Sequence, residues 1–165
     1  MAINQPFIAE VKYEAEKTKK MLAVVPFDKA TWKPHPKSME LGKLTLHVVD
    51  MVRWASVVTT SDELDFQKPY LEMPAFNNAE ALSAELDKYV AQAVKDLANA
   101  DDACMNGNWS LRNGEHIFFT LPRHLVLRDM VFNHIIHHRA QLSVYLRLLD
   151  VKIPGMYGPS ADETK

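Results

Sequence analysis

From Asn4 to about Ala23 the apolar positions Phe7, Ile8, Val11, Ala15, Met21 and Leu22, with Thr18, recur every three or four residues. Lys and Glu fill the opposite side. That period predicts an amphipathic helix. Pro26 ends it, because proline disfavours helical geometry in the residue before it. A connector with Pro34 and Pro36 follows, flanking His35. Ser38 is placed to cap a second helix, from about Met39 to Thr60. Its stripe is Leu44, His47, Met51, Trp54 and Val58, widened by Leu41, Thr45, Val48, Val52 and Ala55. Asp62 to Phe76 reads as a polar loop. Asn77 or Asn78 then caps a third helix, Ala79 to Asn99, with Leu82, Leu86, Tyr89, Val90, Ala93 and Leu97 inward. Between Asp101 and Leu121, two apolar segments flank Arg112-Asn113-Gly114-Glu115. An Asn-Gly step in that setting signals a hairpin turn. Pro122 suits the start of a last helix reaching about Asp150, and Pro154-Gly155 stops it. The pattern predicts an all-α chain: a four-helix bundle with long connectors and a short β-hairpin excursion before the last helix.

Composition narrows the class without naming a function. The 165 residues suffice for one domain, residues 1–165, with a sizeable core. Hydrophobic residues make up 47% and charged residues 24%, as in ordinary globular proteins. A formal net charge of -2 and the lack of a basic stripe argue against a nucleic-acid partner. No segment is apolar enough for a bilayer, and the first residues do not read as a secretory signal. The expected location is cytoplasmic. Cys104 is the single cysteine, so no internal disulfide forms. Beside Asp101 and Asp102 it offers no evident nucleophile. The five glycines build no phosphate-cradling loop.

The candidate chemistry lies in Asn133-His134-Ile135-Ile136-His137-His138-Arg139. His134 and His138 are four apart, which puts two imidazoles on one helical face, one turn apart. Their face is otherwise apolar, with Met130, Leu142, Tyr145 and Leu149, so they are expected to look inward. His47 supplies a third inward imidazole. Three neutral imidazoles can hold one divalent ion and leave a position open for water or substrate. The alternative is three core histidines satisfied by hydrogen bonds, which are costly to bury unshared. The His-Glu-x-x-His arrangement of zinc proteases is absent, because Ile135, Ile136 and His137 lie between. His137 is rotated off the shared face. Arg139 is expected in a salt bridge. Gln141 is placed to bond a metal-bound water or another helix. Asp50 could orient an imidazole, though such residues are more often solvated. His35, His116 and His124 have no visible partners. Trp32, Trp54, Trp109, Tyr145 and Tyr157 are expected to line the core or a pocket.

Three places in the chain resemble the DinB/YfiT-like superfamily of helical-bundle metalloproteins. One is Trp32-Lys33-Pro34 through Ser38, Leu44 and His47. Another is Asn133-His134 through His137-His138-Arg139-Ala140-Gln141-Leu142, similar to that family's Asn-His-x-x-His-His-Arg-Gly-Gln segment. The third is Tyr145-Leu146-Arg147 with the tail Pro154 to Ser160. The resemblance implies metal ligation by His47, His134 and His138, with nickel or zinc the commonest ion and iron or manganese further candidates. It also implies a homodimer in many members. Ala140 departs from the usual glycine, which bears on helix contacts there rather than on the ligands. Characterised relatives include thiol transferases and a thiol-dependent isomerase. The implied partners are therefore a small-molecule thiol and an electrophile. A hydrolase using a metal-bound water, and a non-catalytic stress-related metal-binding protein, are the alternatives.

Overall fold

The structure, a computed structural model, describes residues 2–69, 73, 75 and 77–163. In chain order the elements are α1 (Asn4–Leu22), a 3-10 turn (Phe27–Lys29), α2 (Leu41–Thr60), β1 (Glu63–Asp65), α3 (Ala79–Asn99), α4 (Asp102–Asn106), β2 (Asn108–Asn113), β3 (His116–Pro122) and α5 (Arg123–Val126). A π-helical segment (Leu127–Asn133) then leads into α6 (His134–Leu148). The chain is mostly helical. Helix α3 packs against α1 and α2, and α2 packs in turn against α6. No helix among the described residues is long and apolar enough to cross a membrane.

The buried residues follow the expected stripes. Leu82, Leu86, Ala93 and Leu97 of α3 are buried, as are Leu44, Val48, Met51, Val52, Ala55 and Val58 of α2. Tyr89 and Val90 are only half-buried. A second, smaller cluster joins Met21, Val25, Leu41 and Leu44 to Leu142, Tyr145 and Leu146. It sits a turn from the histidines on both α2 and α6.

Helix starts are settled by different groups. Asn78 caps α3, its side chain accepting from the Ala81 N–H at 2.8 Å. Ser38 does not cap α2. That helix begins at Leu41, and the connector supplies its acceptors: Leu41 N–H donates to the Trp32 carbonyl and Gly42 N–H to the Ala30 carbonyl, both at 2.8 Å. With those orphan donors satisfied by backbone, no side-chain cap is needed. The approach is tight, since a Cβ on Gly42 would lie 3.0 Å from the Ala30 Cβ.

The all-α expectation gives way at a small sheet of order β1-β2-β3. The predicted hairpin is β2–β3, antiparallel, with an irregularity between Leu111 and Arg112. Asn113 pairs with His116, so the two-residue loop is Gly114-Glu115 rather than Asn113-Gly114. Gly114 takes φ +60°, which favours glycine. Strand β1 runs parallel to β2 inside the segment read as a polar loop. Its three residues, Glu-Leu-Asp, are too short and too charged to signal a strand. Leu64 goes inward while Glu63 and Asp65 meet Arg112. Within that loop, residues 70–72, 74 and 76 lie outside the described residues.

Two buried arginines tie these parts together. Arg123 donates to the carbonyls of Val58 (3.0 Å), Ser61 (2.9 Å) and Asn108 (3.0 Å), and pairs with Asp62. It thereby satisfies the C-terminal end of α2 and locks the sheet onto it. Arg139 on α6 pairs with Glu14 on α1. It also donates to the Glu14 carbonyl (2.9 Å), Thr18 Oγ1 (3.2 Å) and the Tyr157 hydroxyl (2.6 Å). Tyr157 donates onward to Glu14 at 2.7 Å. Tyr157 is therefore not a core aromatic. Its ring is exposed and only its hydroxyl is enclosed, with burial and the Glu14 bond pushing that hydroxyl up to about 12. The irregular tail is held down by this contact and by Asp162, which accepts from Arg147 and from Ile153 N–H.

Arg139→Met is expected to destabilise the protein by about 3–5 kcal/mol in urea denaturation, because it removes the direct cationic partner of the buried Glu14 carboxylate and leaves it, as a cation, only the looser contact with Lys17 at 3.9 Å. Adding Glu14→Leu should recover much of that loss. A single-variant loss below about 1 kcal/mol would show that the pair is not a buried anchor.

Candidate metal centre

The single long C-terminal helix expected from Pro122 to Asp150 is interrupted. Residues Leu127–Asn133 form a widened π-helical turn, and α6 begins at His134 itself. Apolar periodicity gave no hint of this, because one wide turn displaces the pattern by less than a helical stripe covers. π-helical turns are rare and recur beside functional sites.

Within α6 the fully inward line is Ile135, Arg139, Leu142 and Leu146. His134 and His138 lie about 100° from that line, turned toward α2 rather than into the core centre. They are half-buried, as is His47. The expectation of core-facing imidazoles is corrected to imidazoles at the margin of the core, within reach of solvent.

His47, His134 and His138 converge, each offering a ring nitrogen within 4.8 Å of the others. The Nε2 atoms of His47 and His134 are 3.4 Å apart, and those of His134 and His138 are 2.7 Å apart. The first distance is near the spacing of roughly 3.3 Å between two nitrogens of a tetrahedral site with metal–nitrogen bonds of about 2.05 Å. The second is shorter, at the distance of a shared proton. The residues fit a divalent ion in donor type and number. No carboxylate belongs to the cluster among the described residues.

The other faces of two rings are engaged. His138 Nδ1 lies 2.7 Å from Gln141 Oε1, so its N–H donates there and Nε2 is left with a lone pair toward the cluster. His134 bonds the Met130 backbone carbonyl, which leaves its Nε2 equally free. Burial is the main reason that all three rings resist protonation. It pushes His47 down to about 4, helped by His138 and His134. Burial also lowers His134 and His138, opposed respectively by the Met130 carbonyl and by Gln141. Near neutral pH the cluster presents three uncharged imidazoles, the form that binds metals.

Other side chains fall away from the cluster. His137 is exposed on α6 with its ring centroid 4.9 Å from that of His138. Asp50 pairs with Arg53 at 2.6 Å. His35 accepts from Lys37 N–H, His116 stands edge-on to Phe118, and His124 donates to the Met105 carbonyl. Ala140 is exposed, so the methyl that departs from the usual glycine meets solvent. An open groove of about 300 Å³ flanks His134, lined also by Asp129, Met130, Asn133 and His137. An apolar cavity of about 230 Å³ beside the start of α2, walled by Val25, Phe27, Leu41, Leu46 and Leu82, includes none of the three. Sequence reasoning missed the Met130 carbonyl, since a backbone group carries no side-chain signal.

Two outcomes follow from this geometry. In the metal-free protein His47 protonates less readily folded than unfolded, so the unfolded chain binds more protons between pH 6.5 and about 4. Stability is therefore complete above about pH 6.5 and declines toward pH 4, by roughly 1–3 kcal/mol after discounting for partial exposure. Chelator-treated protein denatured across that range should show the decline, and His47→Gln should make it shallower, His134 and His138 supplying what remains. An equal slope in the variant would contradict the assignment. Gln141→Leu should weaken zinc binding roughly tenfold by competition with a chromophoric chelator, leaving thermal stability of the metal-free protein unchanged.

The DinB family model matches residues 2–165. A curated relative, the uncharacterised protein YrdA of Bacillus subtilis strain 168, is 24% identical over 95% of this chain and 89% of its own length. Among solved structures, a DinB-like protein from Bacillus cereus ATCC 10987 superposes with a TM-score of 0.66 at 24% identity, covering 92% of this chain and 95% of that one. YjoA, a DinB-like protein from Bacillus subtilis, gives a TM-score of 0.59 at 18% identity over 93% and 96%. At these identities the structures speak for the fold alone. The family match spans nearly the whole chain, and on that ground the protein belongs to the DinB family.

Proposed function

We propose that this protein is a divalent-metal-dependent enzyme of the low-molecular-weight-thiol S-transferase type. The observation that carries the reading is the convergence of three uncharged imidazoles beside a solvent-open groove. A closed structural site would surround its ion with four protein ligands, whereas three leave a position for a small molecule. A divalent ion there supplies positive charge that stabilises a thiolate at neutral pH. The resemblance to characterised thiol-using relatives is the reason for preferring a thiol over water as the nucleophile.

The chain's own residues do the rest. His47 from α2, with His134 and His138 from α6, fixes the centre across a helix–helix contact. Gln141 and the Met130 carbonyl hold two of the rings in the tautomer whose lone pair faces inward. The groove admits the thiol and its electrophile from solvent. The transfer forms a sulfur–carbon bond as the bond from carbon to the leaving group breaks. The leaving group departs with the electron pair, and the thiol proton passes to solvent.

Zinc- or nickel-loaded protein is expected to accelerate conjugation of a small thiol to monochlorobimane, and His134→Ala to abolish the acceleration while remaining helical by circular dichroism. Unchanged conjugation in folded His134→Ala would overturn the reading. So would ester hydrolysis at full rate without thiol, combined with no conjugation when thiol is added.

A further inference from the structure

The groove beside the histidines is not neutral in character. Along one side run Asp129, Asn133 and His137, beside Met130 and His134, the one candidate ligand that lines it. Asp129 is the one formally charged residue in that lining. It is exposed, and among the described residues it forms no ion pair with a lysine or arginine. Its neighbour Arg128 turns away to grip Glu10 with two bonds of 2.6 Å. Asp129 and His134 line the same groove. A carboxylate with no lysine or arginine partner among the described residues therefore lines the same groove as one of the uncharged rings.

From this juxtaposition we infer that the groove selects a thiol carrying a cationic nitrogen, with Asp129 as the residue that reads the cation. The inference rests on the thiol-transfer reading and adds the substrate class. Its physical basis is charge balance. Three neutral imidazoles leave the charge of a divalent ion uncompensated, so the centre repels a cationic substituent and attracts an anionic one. Asp129 reverses that preference locally. A substituent two or three bonds from the sulfur meets the carboxylate while the sulfur meets the histidine face. Asn133 adds an amide donor and acceptor on the same wall, and Met130 an apolar floor for the linking carbons. In a solvent-open groove one such pairing changes affinity by roughly fivefold.

Isothermal titration of zinc-loaded protein with three thiols of similar length tests this. Thiocholine carries a permanent cation that cannot ligate the metal through nitrogen, 2-mercaptoethanol is neutral, and 3-mercaptopropionate is anionic. Wild type should bind thiocholine more tightly than 3-mercaptopropionate. Asp129→Asn should weaken thiocholine roughly fivefold and leave 2-mercaptoethanol unchanged, with bound zinc unaltered by elemental analysis. Asp129→Lys should favour 3-mercaptopropionate. If all three thiols bind and neither variant changes their order, the inference is overturned while the thiol reading stands. If none binds zinc-loaded wild type, the thiol reading fails and the inference with it.

Discussion

The rotation of α6 about its own axis decides what this fold can do, and Arg139 sets that rotation. A buried guanidinium is costly unless every donor finds an acceptor. Here Glu14, Thr18 and Tyr157 supply the acceptors, from α1 and from the tail. Those contacts hold the Arg139 edge of α6 against α1 and the tail. Because His138 immediately precedes Arg139, and His134 lies a turn earlier, both imidazoles are then obliged to face α2. His47 meets them there. The three-histidine cluster is thus positioned by an ion pair on an adjacent face of the same helix.

Within that frame, stability and chemistry pull in different directions. Three unprotonated imidazoles at the margin of the core resist charging, which costs the metal-free protein stability as pH falls. The same resistance keeps their lone pairs available near neutral pH. The π-helical turn before His134 adds to this. It is an uncommon backbone arrangement placed where the Met130 carbonyl bonds the His134 ring. Local irregularity of this kind is expected where function, rather than packing, dictates the backbone.

Much of this is legible in the amino-acid sequence. Helices α1 and α3 matched their apolar periods almost to the residue, since nothing competes with a clean 3.6-residue stripe bounded by proline or asparagine. The i, i+4 pair and His47 stood out because imidazoles on apolar stripes are rare. What was hidden was hidden for physical reasons. Strand β1 is three residues long and borrows its order from β2. The start of α2 is capped by connector carbonyls, which no cap residue advertises. Arg139 was expected in a salt bridge, yet its burial could not be read, because its partner lies 125 residues away. Periodicity also placed the histidines deeper than they are: residues 100° apart on a helix share one broad stripe in sequence but not one depth in the fold.

The central claim is that His47, His134 and His138 together hold one divalent ion. It is tested most directly by titrating chelator-treated protein with cobalt(II), followed by the visible absorption of the bound ion, beside His47→Ala. Saturation at about one ion per chain, with that site lost in the folded variant, is the predicted result. No binding in the wild type, or equal binding in His47→Ala, would contradict the account and leave three histidines that merely share protons.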